Sequence, residues 1–359
     1  MREYWQRKPL LIRAALPGFI PPIDRARLFE LAQDPQAESR LLTAFDRRRS
    51  LKHGPFLRLP SITRKRWTLL VQGVDLLDDA ARSLLSRFRF VPDARLDDLM
   101  VSFATDGGGV GPHVDSYDVF LLQAFGRRRW RLSRQRNLRV KPTSAIDVVD
   151  GFRASSEWVL DAGDMLYLPP GIAHEGTAIG ECMTYSIGFR APSYQYLLEP
   201  WFADYAEHAD PRGRYGDSSA AAATRPAALP REMTRKIHDE LVRHSPGRSA
   251  TERFLLRHLS EPKATTVFHA PLAPLSPTHF HRRAVARGLQ LDRRTRVIYS
   301  NAAIAINGEW IKPPPGALAT LTTLADQRAL SALQARRAPT SAWELLHGWY
   351  SAGWIEFVD

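Results

Sequence analysis

His113 and Asp115 stand two residues apart in GGGVGPHVDSYDVF, residues 107–120. Successive side chains of an extended chain alternate between faces, so both project from the same side and can converge on one ion. A Gly-rich turn precedes the pair and a β-prone run follows it. A second His-x-Asp pair, His208 and Asp210, falls in a helix-like stretch, where a spacing of two turns the side chains apart. Context separates the copies, because a further ligand candidate follows the first in DAGDMLYLPPGIAHEG, residues 161–176. There a Gly-Asp turn, an apolar strand and a rigid Pro-Pro-Gly corner present the imidazole of His174 at a strand end. Two neutral imidazoles and one carboxylate suit ferrous iron, holding one triangular face of an octahedron. Three positions stay open, enough for a bidentate 2-oxo acid and then dioxygen, whereas a structural site would fill its shell. A plain hydrogen-bonded His–Asp pair with a loop histidine is the alternative; the Pro-Pro-Gly corner and the barrel-like setting favour the metal.

A 2-oxo acid such as 2-oxoglutarate carries a second carboxylate, which needs a cation or hydroxyl donors deep in the barrel. GRRRWRL, residues 126–132, offers one. As a strand it places Arg128, Trp130 and Leu132 on one face and Arg127, Arg129 and Arg131 on the other. Two apolar neighbours turn the Arg128 face inward, and a buried guanidinium demands an anion. That anion is the co-substrate or a protein carboxylate. The other three arginines read as a solvated face, open to ribosomal RNA or a substrate protein.

These residues need a β framework, and the sequence supplies one. From residue 1 to about 200, short apolar runs alternate with Gly and Pro: LLIRAAL, WTLLVQGV, LMVSFAT, VDSYDVFLLQAF, RRRWRLS, MLYLPP and MTYSIGFR. Many short strands with turn signals between them predict a sandwich or barrel. DLLDDAARSLLSRFRF, Asp75 to Phe90, has apolar residues recurring at three and four and predicts a helix against the barrel's outer side. DSSAAAATRPAALP, residues 217–230, lacks large apolar side chains and reads as a linker or exposed loop. REMTRKIHDELVRHS and ATERFLLRHLSEP then predict two helices. TRVIYSNAAIAINGEWIKPP predicts a hairpin turning at NGE, and the chain ends in two helix-like stretches closing on WELLHGWYSAGWIEFVD.

Composition sets the outer bounds. With 359 residues, 44% hydrophobic and 25% charged, this is a folded chain of two or three domains rather than a disordered one. One cysteine, Cys182, excludes a disulfide framework and a Cys-based zinc site, and suits a reducing cytoplasm. No apolar stretch is long enough to span a bilayer. Net charge is +12, which favours polyanions; the charge reads as spread along the chain, with no recognition-helix motif.

At YWQRKPLLIR, HGPF (53–56), WTLLVQGV (67–74), DDLMVSFATDGGGVGPHVDSYDVF (97–120), GRRRW, DMLYLPPGIAHEG and YSIGFRAPS, the sequence resembles the JmjC-type 2-oxoglutarate oxygenases. Within them it resembles the bacterial ribosomal oxygenases that hydroxylate an arginine of a large-subunit ribosomal protein, the sixteenth of the usual series. After residue 215 the agreement is mainly one of layout. The resemblance implies a mainly β fold with α: a double-stranded β-helix (cupin/JmjC) barrel at 1–212, a linker at 213–230, a helical dimerisation module at 231–265 and a winged-helix-like domain at 266–359. It also implies a cytoplasmic homodimer. It makes His113, Asp115 and His174 the ligands of Fe(II) and puts Arg128 on the 2-oxoglutarate carboxylate. Ser102, in LMVSFAT, matches a serine that helps hold that co-substrate. Asp106, beside the glycine run, matches an acid facing the substrate guanidinium, a role suited to paired hydrogen bonds; a turn-forming Asp before GGG is the plainer reading.

The chemistry implied is oxidative decarboxylation of 2-oxoglutarate, giving succinate and carbon dioxide, with hydroxylation of the arginine β-carbon by O2. The residues alone do not choose among arginine hydroxylation, histidine hydroxylation and lysine demethylation. Two other classes fit the same sequence: a metal-binding cupin serving as a binding module, and a nucleic-acid-associated regulator built on the basic charge. Arg128 separates the first from an oxygenase, since without a cation for the oxo acid the barrel has no co-substrate site.

Overall fold

The computed structural model describes residues 1–45, 48–135, 139–142, 147–209, 212–218, 225 and 227–358. The N-terminal half runs through β1 (Leu10–Ile12), α1 (Arg25–Leu31), β2 (Glu38–Phe45), β3 (Arg48–His53), β4 (Trp67–Gln72), α2 (Asp79–Ser86), β5 (Leu96–Ala104), β6 (Asp118–Ser133), β7 (Arg139–Pro142), β8 (Asp147–Asp150), β9 (Ser156–Leu160), β10 (Met165–Leu168) and β11 (Ala173–Phe189). The main sheet has the order β1-β10-β6-β11-β5-β4-β2-β3, with β9 added on β6.

β6 and β11 close the barrel. The first half of β6 pairs with β10 and with the second half of β11; its second half pairs with β9 and with the first half of β11. Register breaks between Ile179 and Met183 mark the bend. Gly126 turns β6 at the same level with φ 63°, and a Cβ there would stand 2.1 Å from the Glu181 carbonyl oxygen. Two long strands bent into both layers make a double-stranded β-helix.

Alternation assigns the two faces. Leu99, Val101 and Phe103 of β5, Phe120 and Leu122 of β6, and Tyr185, Ile187 and Phe189 of β11 join a core packed under the N-terminal segment, α1 and α2. The intervening residues, Met100 and Ser102, Val119 and Leu121, Thr184 and Ser186, face the barrel interior and line a cavity. A second apolar cluster of Trp130, Leu132, Leu160, Leu166 and Leu168 shuts the opposite wall.

The helix expected over Asp75–Phe90 is interrupted. Val74–Leu76 is a single tight turn and α2 begins at Asp79, because Asp78 is extended and its carboxylate accepts the Ala80 and Ala81 N–H groups. Asp75 is buried instead, accepting the Leu99 N–H at 2.9 Å and facing Arg82 at 3.3 Å.

α3 (Tyr194–His208), α4 (Arg231–Arg243) and α5 (Arg248–Ser260) follow. Neither α3 nor α4 buries a residue, whereas α5 buries Phe254 and Leu256. The C-terminal part comprises α6 (Pro277–Arg287), β12 (Leu289–Leu291), β13 (Val297–Tyr299), β14 (Ile304–Ile306), β15 (Glu309–Ile311), α7 (Leu318–Gln327), β16 (Ala329–Leu330), α8 (Ala332–Arg336), α9 (Trp343–Ser351) and β17 (Ile355–Phe357). It is a winged-helix domain around Phe280, Leu289, Ile304, Leu321, Leu324 and Trp349. The turn read at NGE joins β14 to β15, with Asn307 and Gly308 at φ 50° and 87°. The closing stretch is helical only to Ser351; its end, read as helix, is β17, paired with β12. α5 packs on the hairpin through Leu256, Ala303 and Ala305. Among the described residues no helix is long and apolar enough to cross a membrane.

Candidate metal centre and its cavity

His113 and His174 meet as an isolated bridge, each N–H bonded to the other's carbonyl at 3.0 and 2.9 Å. Close approach of their two segments depends on glycine: a Cβ on Gly109 would lie 2.2 Å from the Gly176 carbonyl oxygen. The His113 Nδ1–H donates to the Gly111 carbonyl at 2.9 Å and the His174 Nδ1–H to the Ile172 carbonyl at 2.8 Å. A carbonyl can only accept, so both Nε2 atoms keep their lone pairs free. Those atoms lie 3.9 and 3.6 Å from the two carboxylate oxygens of Asp115. The three ligand atoms all fall within 4.8 Å of one another.

Electrostatics fit a cation at that point. Burial, and then the neighbouring His113, push the His174 pKa down to about 3, so the ring is neutral and ready to ligate. Burial pushes the Asp115 carboxyl up, with His113 and the Tyr117 hydroxyl partly offsetting it. A part-buried carboxylate between two imidazoles is a donor set completed by a divalent metal.

Below the cluster lies a cavity of about 390 Å³. Arg128 forms part of its lining and is only 3% exposed, while Arg127 and Arg129 on the other face of β6 are exposed. Its guanidinium donates to the Thr184 hydroxyl at 3.4 Å and the Gly176 carbonyl at 3.3 Å, and its Nε has no partner. Burial lowers its pKa, with the Cys182 thiol opposing, yet an arginine stays charged. The Thr184 hydroxyl donates to the Gln123 Oε1 at 3.1 Å, and the Ser102 hydroxyl donates to the Thr184 carbonyl at 3.1 Å. Cation and hydroxyls therefore gather at the foot of the metal cluster.

The structure separates Asp106 from this group. It lies past the end of β5 near Gly180, away from the residues lining the cavity. One carboxylate oxygen accepts the Gly180 N–H at 3.0 Å and the other holds Lys65 at 2.9 Å, bonds that pull its pKa down. The glycine run between Asp106 and His113 lies antiparallel along β11 from Ala178 to His174, which separates the two residues along that strand. His208 closes α3, exposed, with Nδ1–H on the Asp204 carbonyl at 2.7 Å; Asp210 lies outside the described residues.

Besides Asp115, the acids at the cavity are Asp97 and Asp98, to which sequence reasoning gave no role. Phe189 pairs with Leu96 and Ile187 with Leu99, so β5 bulges at these two residues and brings both toward the mouth. Asp98 is buried; its Oδ2 accepts the Gly73 N–H at 3.0 Å and Lys263 Nζ at 2.7 Å. The DD of DDLMVSF was visible, but a bulge leaves no mark on strand periodicity.

Residues 83–197 match a family described as the JmjC domain, and residues 237–356 match the ROXA-like winged helix. Ribosomal protein uL16 3-hydroxylase of Escherichia coli is 34% identical over 319 residues, covering 88% of this chain and 85% of that protein. The chain belongs to the JmjC-domain ribosomal oxygenases. A probable ribosomal oxygenase of Haemophilus influenzae is 29% identical, over 87% of this chain and 81% of its own. The X-ray structure of E. coli YcfD superposes with a TM-score of 0.90 at 30% identity, covering 99% of this chain and 96% of the other. A YcfD structure in complex with cobalt and 2-oxoglutarate superposes with a TM-score of 0.88 at 30% identity and the same coverage. In this ribosomal oxygenase the winged-helix match begins inside α4, so it takes in α5 and the hairpin that α5 covers.

Proposed function

We propose that this chain is an Fe(II)- and 2-oxoglutarate-dependent dioxygenase that hydroxylates the β-carbon of an arginine in large-subunit ribosomal protein uL16. The observation that carries the reading is the convergence of His113, Asp115 and His174 above a buried arginine with an unpartnered Nε. The three side chains would hold the iron, and Arg128 would pair with the far carboxylate of 2-oxoglutarate, with Ser102 and Thr184 beside it. When bound, iron, 2-oxoglutarate and O2 supply the oxidising chemistry, yielding succinate, carbon dioxide and the hydroxylated arginine. The protein's part is placement: the target C–H must sit within reach of the metal face, where proximity accounts for much of the rate.

Asp97, part-exposed where the cavity meets the surface, offers a carboxylate, the chemistry that binds a guanidinium by paired hydrogen bonds, while Asp98 beside it is held by Lys263. Asp106, given that role by resemblance, is bonded to Lys65 and Gly180 instead. A cleft of about 380 Å³ shares Asp97, Ser116 and Tyr117 with the cavity and continues to Tyr196 and His258, a path for the loop that carries the arginine.

We assign 1–212 to catalysis, 213–230 to a linker, 231–265 to dimerisation and 266–359 to the winged helix, and place the enzyme in the cytoplasm as a homodimer. Tyr194, Leu198 and Phe202 of α3 and Leu241 of α4 are more than half or about half exposed, apolar surface of the kind that a second copy covers.

The test is 2-oxoglutarate turnover with Fe(II) and uL16 peptides, read by mass spectrometry for a gain of one oxygen. Asp115→Ala and His174→Ala should each reduce turnover by at least about 10³-fold, the loss expected when a group essential to the chemistry is removed, with the fold intact by circular dichroism. Turnover at wild-type level in either variant would remove the metal assignment. Iron binding without decarboxylation or oxygen gain would make the chain a binding module.

A further inference from the structure

The basic charge is concentrated, which corrects the expectation of an even spread. Residues 47–66, RRRSLKHGPFLRLPSITRKR, contain eight Arg and Lys and no Asp or Glu, in a chain whose net charge is +12. The described part of this segment forms β3, the outer edge strand of the main sheet, and the loop returning to β4. Lys52, Arg58, Arg64, Lys65 and Arg66 are all exposed.

Register places the two ends of this stripe. His53 pairs with Arg40, which lines the metal cavity. At the other end, the Arg66 N–H donates to the Asp106 carbonyl at 3.0 Å, beyond the far end of β5. The described cations therefore run along the edge of the sheet, from Lys52 opposite Leu41 to Arg64, Lys65 and Arg66 past the far end of β5.

We propose that this stripe is a docking surface for the phosphate backbone of RNA, so that the enzyme engages its target on an RNA-bearing large-subunit particle. The choice of ribosomal RNA rests on the function proposed above; the anionic backbone does not. Densely packed like charges repel one another, and a polyanion that releases its own counterions offsets that repulsion. Cations on an edge strand also deter edge-to-edge pairing. That does not account for Arg58, Arg64, Lys65 and Arg66, which lie off the strand where no edge needs guarding. Arg66 is held at φ 62°, a conformation that disfavours a long side chain, and its stem lies against Gly107. No exposed tryptophan or tyrosine interrupts residues 47–66, so the surface suits backbone contact rather than base stacking.

The experiment is fluorescence anisotropy of the full chain with a transcribed fragment of large-subunit ribosomal RNA between about 50 and 200 mM KCl, the range over which phosphate contacts weaken most visibly. Two variants of equal net charge are compared: Lys52→Glu/Arg58→Glu/Arg66→Glu on the stripe, and Arg134→Glu/Arg153→Glu/Arg282→Glu on other exposed surfaces. The stripe variant should bind about 10- to 100-fold more weakly, with a log–log salt slope shallower by about 3, one for each basic side chain that no longer meets a phosphate. The matched variant should keep near wild-type affinity. Equal weakening in both would overturn the proposal in favour of diffuse attraction, and displacement of the RNA by poly-glutamate at equal charge concentration would overturn it in favour of an acidic protein partner. Hydroxylation of free uL16 peptide by the stripe variant should match wild type. Anisotropy does not use turnover, so a failed hydroxylase assay and a failed docking surface remain separate results.

Discussion

The floor and the wall of the cavity each bury an ionic side chain, and they treat it in opposite ways. Arg128, on the floor, contacts a hydroxyl, a carbonyl and a thiol, and one of its nitrogens bonds nothing. Asp98, on the wall, is held by Lys263 at 2.7 Å and a backbone N–H at 3.0 Å. A charge removed from water without a counter-charge costs several kcal/mol, so a fold keeps one only where something else compensates it. For Asp98 the compensation is built into the chain, from the segment that follows α5. For Arg128 the described residues supply no carboxylate, which is why we propose that the co-substrate does.

Replacing the floor charge gives the largest effect. Arg128→Met should raise the 2-oxoglutarate concentration at half-maximal turnover by on the order of 100-fold, corresponding to about 3 kcal/mol for a charge-assisted contact. The melting temperature of the metal-free protein should hold or rise, because an uncompensated buried cation has been removed. A drop in melting temperature with unchanged 2-oxoglutarate dependence would make Arg128 a structural residue and erase the contrast.

The wall should respond the other way. Lys263→Met leaves Asp98 buried without its cation and should destabilise the protein by about 3 kcal/mol, seen as a lower denaturation midpoint in urea. Lys263→Arg should recover most of that loss. Half-saturation by 2-oxoglutarate should stay near wild type, since Lys263 bonds the wall rather than the floor. Equal stability in Lys263→Met would mean that burial alone neutralises Asp98, in keeping with the upward push that burial gives its carboxyl.

Much of the floor was legible in the sequence and little of the wall. Period-two alternation put Arg128 inward with Trp130 and Leu132, and the Pro-Pro-Gly corner marked His174 as a presented imidazole; both signals are local. Asp98 depends on a bulge in β5 and on Lys263, which lies 165 positions away in the chain. No spacing rule spans that separation. Asp106 stands apart from the cavity lining for a related reason: sequence proximity to the glycine run does not say where along the barrel a residue lies. The helix read over Asp75–Phe90 followed a true apolar period, but Asp78 could cap only by leaving the helical conformation, and that competition between side chain and backbone is invisible to periodicity.

His174 answers burial in a third way, by giving up its charge, and this sets the smallest of the effects. Its pKa is about 3 in the fold against an ordinary 6.5, because burial first, and then His113, disfavour the imidazolium. Between those values the unfolded chain takes up a proton at this residue that the folded chain refuses. Stability of the metal-free protein is therefore unaffected by His174 above pH 6.5 and falls as pH drops from 6.5 toward 3, by up to about 1.4 kcal/mol per pH unit for one proton. Other groups titrate in the same window, so the quantity to measure is the difference between wild type and His174→Gln, each unfolded in urea with chelator present from about pH 7.5 to 5, a range that brackets the unfolded-state value. Gln keeps a polar side chain at the site and cannot titrate, so wild type should lose stability faster than the variant by close to one proton at the acid end of that range. Parallel curves would mean that His174 accepts its proton in the folded state, and that the neutral imidazole has to be created by the metal rather than presented to it.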